Sequence, residues 1–463
     1  MQVALNFDFK KAALAFVLAD AAAFTWLISG MTSNSLFVMT ALASCAFLCV
    51  LMHYFFNGFN GGRNIFKNAF FWCGLALLIL TGVQALNPSA RMVQYNGYYS
   101  IVPLDYIRFL PSSYADDFEN GNALWSLVVI FCVLMFSSSA YVVFDRPVYA
   151  KVAMFFFGLN CALMSAFGLW QNFSGIKAVY GLYISEGDFF GTFFLSNAAT
   201  AFLNLGLACL LALAFELYAK RFYIGKLAYY TSACVIGSGT VAIFAGVLFS
   251  KSRGGMVISL LIFAVAGFVA VGKFIYARFG TRVVVGVIIF LSLSAGATAW
   301  FGSGYVLSKI LHQPTFSHEF EKSFDSRLGI NTVTISIIKE SPFLWGSGAG
   351  SYKFVSIKKF VAGQNDKAGA MVSFSHAHND LFEYVVEYGL AGILLIFIGG
   401  AQLLYMSFAS GLSSSKFVLL GGGALIFLHS CFDIHMHITS TIGAFALIAV
   451  LCTCPLRLKR FDD

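Results

Sequence analysis

Apolar residues in this chain fall into unbroken runs of roughly 20, the length a helix needs to cross a hydrocarbon core. Short polar breaks divide them. The pattern predicts about twelve membrane-spanning helices, over 12–30, 33–56, 66–86, 123–143, 148–170, 189–216, 228–249, 254–272, 283–301, 381–409, 417–432 and 438–454. Only Ser250 to Gly255 separates the seventh from the eighth. Two polar stretches are longer than a connection requires, 87–122 with Pro88, Pro103 and Pro111, and 302–380. The expected fold is therefore an all-α polytopic membrane bundle, one integral membrane domain over 1–463, with 302–380 as a large extracytoplasmic loop.

Composition agrees. The chain has 463 residues, 59% hydrophobic and 11% charged, with 52 Phe, against about 25% charged in soluble domains. The charge is distributed by side. With the N-terminus inside, short inner segments collect Lys10, Lys11, Arg63, Lys67, Arg146, Lys151, Lys220, Arg221, Lys273, Arg278, Lys416, Arg457 and Arg460, as the positive-inside bias requires. The outer segments mix in Asp105, Asp116, Asp117, Glu119, Glu186, Asp188, Glu319, Glu321 and Asp325. The net charge of +8 is then a signature of topology. A nucleic-acid partner is excluded, because no soluble basic face exists. An even number of spans puts both termini in the cytoplasm. The first run, entered through Phe9-Lys10-Lys11, has no small-x-small cleavage site and reads as a retained span. The ten cysteines lie in or beside apolar runs and behave as small hydrophobes, with no extracellular disulfide scaffold.

Candidate chemistry gathers at the lips of the outer segments. Ser375-His376-Ala377-His378-Asn379-Asp380 stands where polar sequence gives way to the tenth run. Histidine is the side chain most readily used as a general base near neutral pH, and Asn379 or Asp380 would hold its ring or position a substrate hydroxyl. In an extended local chain His376 and His378 would point the same way. A helix-capping histidine is the plain alternative. Arg253, in Ser252-Arg253-Gly254-Gly255, lies between two apolar runs; an arginine there snorkels, pairs, or faces a wet cavity, and its donor fork suits phosphate. The two glycines leave room for a close approach. Arg327 lies in the long outer loop, where pairing with Asp325 also explains it. A second patch holds His429, Asp433, His435 and His437. Its spacing matches no closed metal motif, so Asp433 and His435 are expected to line the same wet cavity, with no metal and no cofactor. Glu383 and Glu387, four apart, would order the loop or pair with Arg327 or Arg253, and Glu216 reads as a border residue at the inner face.

This set of residues suits a lipid diphosphate donor, with arginines offsetting leaving-group charge and His378 taking a proton from an attacking hydroxyl. At these residues the sequence resembles the bacterial O-antigen ligase and polysaccharide polymerase family. His378-Asn379 is followed after nine residues by Gly389-Leu390-Ala391-Gly392; upstream stand Arg327-Leu328, Pro342 and Gly346-x-Gly348-x-Gly350; Ser252-Arg253-Gly254, Gly191-Thr192-Phe193 with Asn197, and His429 with Asp433 look like further landmarks. The resemblance covers about 190–437. It implies a bundle of the C-type glycosyltransferase kind that transfers glycan from undecaprenyl diphosphate at the periplasmic face of the bacterial inner membrane without a metal. By resemblance, Arg253 and Arg327 engage the diphosphate and His378 the acceptor hydroxyl. Asn379, Asp380, His376, Asn197, Asp433 and His435 would contact substrate. The acceptor is lipid A-core in a ligase, a second lipid-linked glycan in a polymerase, and a Ser or Thr in a protein-directed enzyme. The absence of the polymerase loop repeat (Arg, ten residues, Gly) favours ligation. A transporter of lipid-linked sugars is the rival of a different class, and it would spread charge along both leaflets.

Overall fold

Each apolar run folds into a helix that stops where a capping side chain or a glycine interrupts it. The computed structural model describes residues 8–59, 62–95, 98–115, 122–184, 188–279, 329–360 and 375–456. The expected ninth span at 283–301, and Arg327, lie outside the described residues. The helices are α1 (Phe9–Trp26), α2 (Ser33–Asn57), α3 (Ala69–Leu86), α4 (Ala123–Val143), α5 (Pro147–Phe173), α6 (Ser196–Ala219), α7 (Lys226–Phe249), α8 (Arg253–Phe279), α9 (Tyr352–Phe360), α10 (Asp380–Ala409), α11 (Ser414–Ser430) and α12 (Thr439–Cys452). Residues 329–340 are also helical. Side-chain oxygens of Thr32, Asn122 and Ser413 accept first-turn amides of α2, α4 and α11, satisfying donors that a helix start leaves open. Gly58, at φ 70°, ends α2.

Among the described residues eight helices, α2 to α8 and α10, are long and apolar enough to cross a membrane, and α11 and α12 are shorter apolar helices. Helix α1 carries Lys10, Lys11 and Asp20 within its 18 residues. This is a multi-pass membrane protein. Helix α6 is its central post, packed against α5, α7, α8, α11 and α12 and buried along most of its length. Close packing at that post uses small residues, as membrane helices commonly do: a Cβ on Gly206 would fall 2.5 Å from Cys161 Sγ, and one on Gly422 would fall 2.6 Å from the Ala208 Cβ.

The chain is mostly helical, as expected of an all-α membrane bundle, and also carries short strands. The segment expected as an irregular outer loop at 87–122 contains strands β1 (Pro88–Tyr95), β2 (Tyr98–Pro103) and β3 (Ser113–Ala115), in the order β2-β1-β3. β1 and β2 are antiparallel, with Arg91 opposite Val102 and Met92 opposite Ile101, and β3 is parallel to β1. The β-branched and aromatic residues of Tyr98 to Val102 favour this pairing, and Pro88 and Pro103 fall at strand ends, where no ladder donor is lost. A two-residue pair, β4 (Ala178–Val179) with β5 (Tyr183–Ile184), closes the turn after α5.

Polar side chains sort to the two ends of the bundle. At one end Lys10 pairs with Asp145, Lys151 with Glu216 at 2.6 Å, and Arg63 donates to Thr453 O at 2.7 Å. Glu216 also accepts from Ser415 Oγ, so it ties α5, α6 and α11 together as a border residue. The histidine-bearing segments converge at the opposite end.

Candidate active site

Helix α10 is broken near its start, and that break builds one wall of the site. Gly389 sits at φ 58°, ψ −159°, a conformation open essentially to glycine alone. The segment after 329–340 enters the gap: Phe343 O and Leu344 O accept the amides of Leu390 and Ala391 at 2.9 and 3.0 Å, while Ser347 N and Gly348 N donate to Val386 O and Glu387 O at 2.7 and 3.0 Å. Backbone groups freed by the break are thus re-paired, which membrane depth demands. Gln84, at the end of α3, fastens the same junction. Its amide donates to Trp345 O and Glu387 O at 3.0 and 3.2 Å, and its oxygen accepts Ala349 N at 3.1 Å. The glycines of the Gly346-x-Gly348-x-Gly350 stretch and Gly389 are therefore two halves of one joint. Gln84 escaped the sequence reading, although an amide in an apolar run was a signal.

At the lip beyond this joint, the polar residues form two adjoining clusters. His378, at φ 50°, turns the chain sharply before α10, so the extended geometry expected for His376 and His378 is not adopted and the two rings diverge. His378 Nδ1 faces Asp433 Oδ1 at 3.4 Å. Asp433 is 2% exposed; its Oδ1 also accepts Ile434 N at 2.9 Å, and its Oδ2 accepts Asn197 Nδ2 at 2.7 Å. Asn197 belongs to the first turn of α6, so the central post of the bundle orients the carboxylate that faces His378. The cap of α10 is Asn379, whose Oδ1 accepts Phe382 N at 3.1 Å. It neither holds the ring nor leaves capping to His378.

The same cluster reaches the start of α8. The His429 and His435 rings pack at a tilt of 56° with centroids 4.2 Å apart, and His429, Asp433 and His435 bring ligand atoms within 4.8 Å of one another. A Cβ on Gly254 would lie 2.4 Å from His429 Nε2, and one on Gly255 would lie 2.2 Å from Thr200 Oγ1. The two glycines after Arg253 thus let α8 begin hard against α6 and α11, which delivers Arg253 to the edge of the histidine cluster. Asn204 Nδ2 donates to Gly255 O at 3.0 Å, and Thr200 Oγ1 bonds Ser252 Oγ at 3.0 Å, pinning the approach. Thr192 donates to Thr25 O at 2.6 Å, and Gly191 turns at φ 61°, so that landmark fixes the entry into α6 behind Asn197.

The second cluster lies beside the first. Asp380, expected beside His378, instead holds the loop between α11 and α12: its Oδ2 accepts His435 N and Met436 N, both at 2.8 Å, and its Oδ1 faces His437 Nδ1 at 2.7 Å. Glu383 orders the turn, accepting Ala377 N at 2.7 Å and facing His376 Nδ1 at 2.8 Å. His437 Nε2 lies 3.5 Å from Glu383 and 3.7 Å from Glu387. Burial alone would lower the proton affinity of this ring, but Glu383, Asp380 and Glu387 outweigh it and lift His437 well above its ordinary range. Both glutamates are nearly inaccessible, and they face histidines and backbone amides. Glu383, Glu387 and His437 form a second trio with ligand atoms within 4.8 Å. The sequence reading weighed His437 only as part of a single patch.

The structure thus defines a helical multi-pass membrane protein with a histidine–carboxylate site at one lip. A family model described as O-antigen ligase matches residues 238–397, which supports the resemblance to the O-antigen ligase and polymerase family. The matched stretch includes Arg253, His378, Gly346 and Gly389, whereas Asn197 and Asp433 lie outside it. No curated protein matches the chain in sequence.

Proposed function

We propose that this chain is a glycosyltransferase that moves a glycan from undecaprenyl diphosphate to an acceptor at the periplasmic face of the bacterial inner membrane, with lipid A-core as the acceptor. The arrangement at His378 carries the reading. Asp433, held by Asn197, faces His378 Nδ1, and accepting a hydrogen bond from Nδ1–H there leaves Nε2 unprotonated and free to act as a base. In the reaction the acceptor oxygen attacks the anomeric carbon, His378 removes the hydroxyl proton, and the carbon–oxygen bond to diphosphate breaks with its electron pair leaving on phosphate. Arg253, together with Arg327, offsets the charge on that leaving group, so no metal is required at the reacting atoms. The fold is of the C-type glycosyltransferase kind, a single membrane domain over 1–463 with 302–380 as its periplasmic loop and both termini cytoplasmic.

Asn379 and Asp380 bear on catalysis through the α10 cap and the 435–437 loop that they fix, while His376 lines the approach of the substrates and the fully buried His435 lies behind the site, packed against His429. The family match supports the class of reaction; the choice of ligation over polymerisation rests on the missing polymerase loop repeat. The deciding experiment compares surface glycans of a deletion strain complemented with wild type or His378→Ala. Free lipid A-core with polymer retained on the lipid carrier means ligation. Loss of long chains, with single repeats still transferred, means polymerisation.

A further inference from the structure

Glu383 and Glu387 lie one turn apart near the start of α10, and His437 reaches them from the loop between α11 and α12. The imidazole is fixed from behind. Its Nδ1 faces Asp380 Oδ1 at 2.7 Å, which leaves Nε2 turned toward the two glutamates. That nitrogen is buried and makes no hydrogen bond among the described residues. It lies 3.5 Å from Glu383 Oε1 and 3.7 Å from Glu387 Oε2, both too long for such a bond. A tetrahedral ion with bonds of about 2.1 Å holds its ligand atoms about 3.4 Å apart. The spacing of this trio therefore matches the edges of a coordination tetrahedron better than it matches direct pairing.

We propose that Glu383, Glu387 and His437 bind a divalent transition ion of the zinc class. The surroundings are those of a metal site. A ligating imidazole characteristically gives its other N–H to a carboxylate, and Asp380 stands in that place, itself held by the amides of His435 and Met436. Asp380, Glu383 and Glu387 are each at most 2% exposed, and acids buried side by side need positive charge between them. Access exists as well: all three ligands, with His376 beside them, line a cavity of about 630 Å³, which supplies an entry path and room for a fourth ligand. None of His429, Asp433 and His435 lines that cavity, and Asp433 already serves Asn197 and His378, so the other trio is not the ion site. Imidazole beside two carboxylates, without sulfur, suits zinc, manganese or iron, whereas magnesium and calcium take oxygen and copper(I) takes sulfur. The ion joins the start of α10 to the loop before α12. It thus braces the two segments that carry His378 and Asp433, without entering the relay between them. In the ion-free protein a proton on His437 is the alternative counter-charge, so ion and proton compete for one nitrogen.

The test needs no glycan substrate, so its outcome is independent of the proposed function. Untagged full-length protein in detergent is stripped with a chelator and titrated with Zn²⁺ by calorimetry, with Mg²⁺ and Ca²⁺ as controls. One zinc ion should bind per chain, and thermal unfolding should move to higher temperature as zinc is added. Glu387→Gln and His437→Gln should each weaken binding by about tenfold or more, whereas Asp433→Asn, in the other trio, should leave it within twofold. X-ray absorption at the zinc edge of wild type keeps the proposal testable should the variants fail to fold. It should show nitrogen and oxygen ligands, imidazole among them, and no sulfur. Absence of saturable zinc binding, equal competition by magnesium, sulfur in the ion's shell, or affinity lost in Asp433→Asn but kept in Glu387→Gln and His437→Gln would overturn the assignment.

Discussion

Asn197 Nδ2 donates to Asp433 Oδ2 at 2.7 Å across 236 positions of sequence, and through that bond the deeply buried helix α6 sets the ring of His378. A carboxylate that fixes one imidazole nitrogen determines what the other can do. His378→Ala should therefore reduce turnover by about 10²-fold or more with donor affinity nearly unchanged. Asp433→Asn should lower kcat by roughly 10- to 100-fold, with little change in KM for the donor, because it exchanges an acceptor for a potential donor at the ring. Steady-state kinetics on purified protein separate these effects. Unchanged kcat in Asp433→Asn would remove it from the relay.

Arg253 enters at the edge of the same cluster, carried by the glycine-lined contact of α8 with His429 and Thr200. Arg253→Ala should slow transfer by about 10²- to 10³-fold, the scale of losing one preorganised charge partner in a site shielded from water. Arg253→Lys should recover only a small part, since an ammonium cannot reproduce the two-pronged grip of guanidinium on phosphate. Binding of radiolabelled lipid donor, measured beside turnover, shows whether the loss lies in affinity or in departure of the diphosphate.

The broken start of α10 is a stability prediction. A methyl group on Gly389 would lie 2.5 Å from Gly346 N and 2.7 Å from Leu344 O, at a φ of 58° that alanine resists. Gly389→Ala should destabilise the protein by at least about 1–3 kcal/mol, the range for such backbone strain alone. Gly400→Ala, in open space in the same helix, should be neutral or slightly stabilising, by up to about 1 kcal/mol. Thermal unfolding in detergent compares them.

The helices were readable because membrane burial imposes long apolar runs. The run at 123–143 coincides with α4, and that at 33–56 nearly with α2. Misplacements have local causes. The run at 12–30 overshoots α1 because Ile28 and Ser29 take positive φ and turn the chain. That at 189–216 starts early because apolar Phe190 and Phe193 pair across the Gly191 turn before α6 begins. The sheet at 88–115 was hidden because its order, with β3 returning to pair with β1, depends on contacts distant in sequence. The site was legible as a list of residues and illegible as a set of partners. Two histidines two apart took different carboxylates because the backbone turns at His378, and Asp380 was claimed by a loop some 55 residues later.

His437 should make the fold pH-sensitive. The groups facing it are Asp380, Glu383 and Glu387, with His376 and Tyr384 packed on its ring at 5.6 and 4.6 Å between centroids. Its folded-state proton affinity is raised above the ordinary value of 6.5. The stabilisation it contributes is thus complete below about 6.5 and is lost as pH rises through the higher folded value. Thermal unfolding followed upward from pH 6 should show Tm falling over that window, and His437→Asn should flatten the fall. A variant with the same pH profile as wild type would assign the dependence to other groups.

The central claim is transfer of glycan from a lipid diphosphate through His378. Its most direct test incubates purified wild type and His378→Ala in vesicles with undecaprenyl-diphosphate glycan and lipid A-core, and resolves the products by gel. The account predicts polymer joined to lipid A-core and free undecaprenyl diphosphate with wild type, and neither with His378→Ala. Transfer that survives in His378→Ala, or a wild type that leaves the donor intact while carrying it across the bilayer, would contradict it.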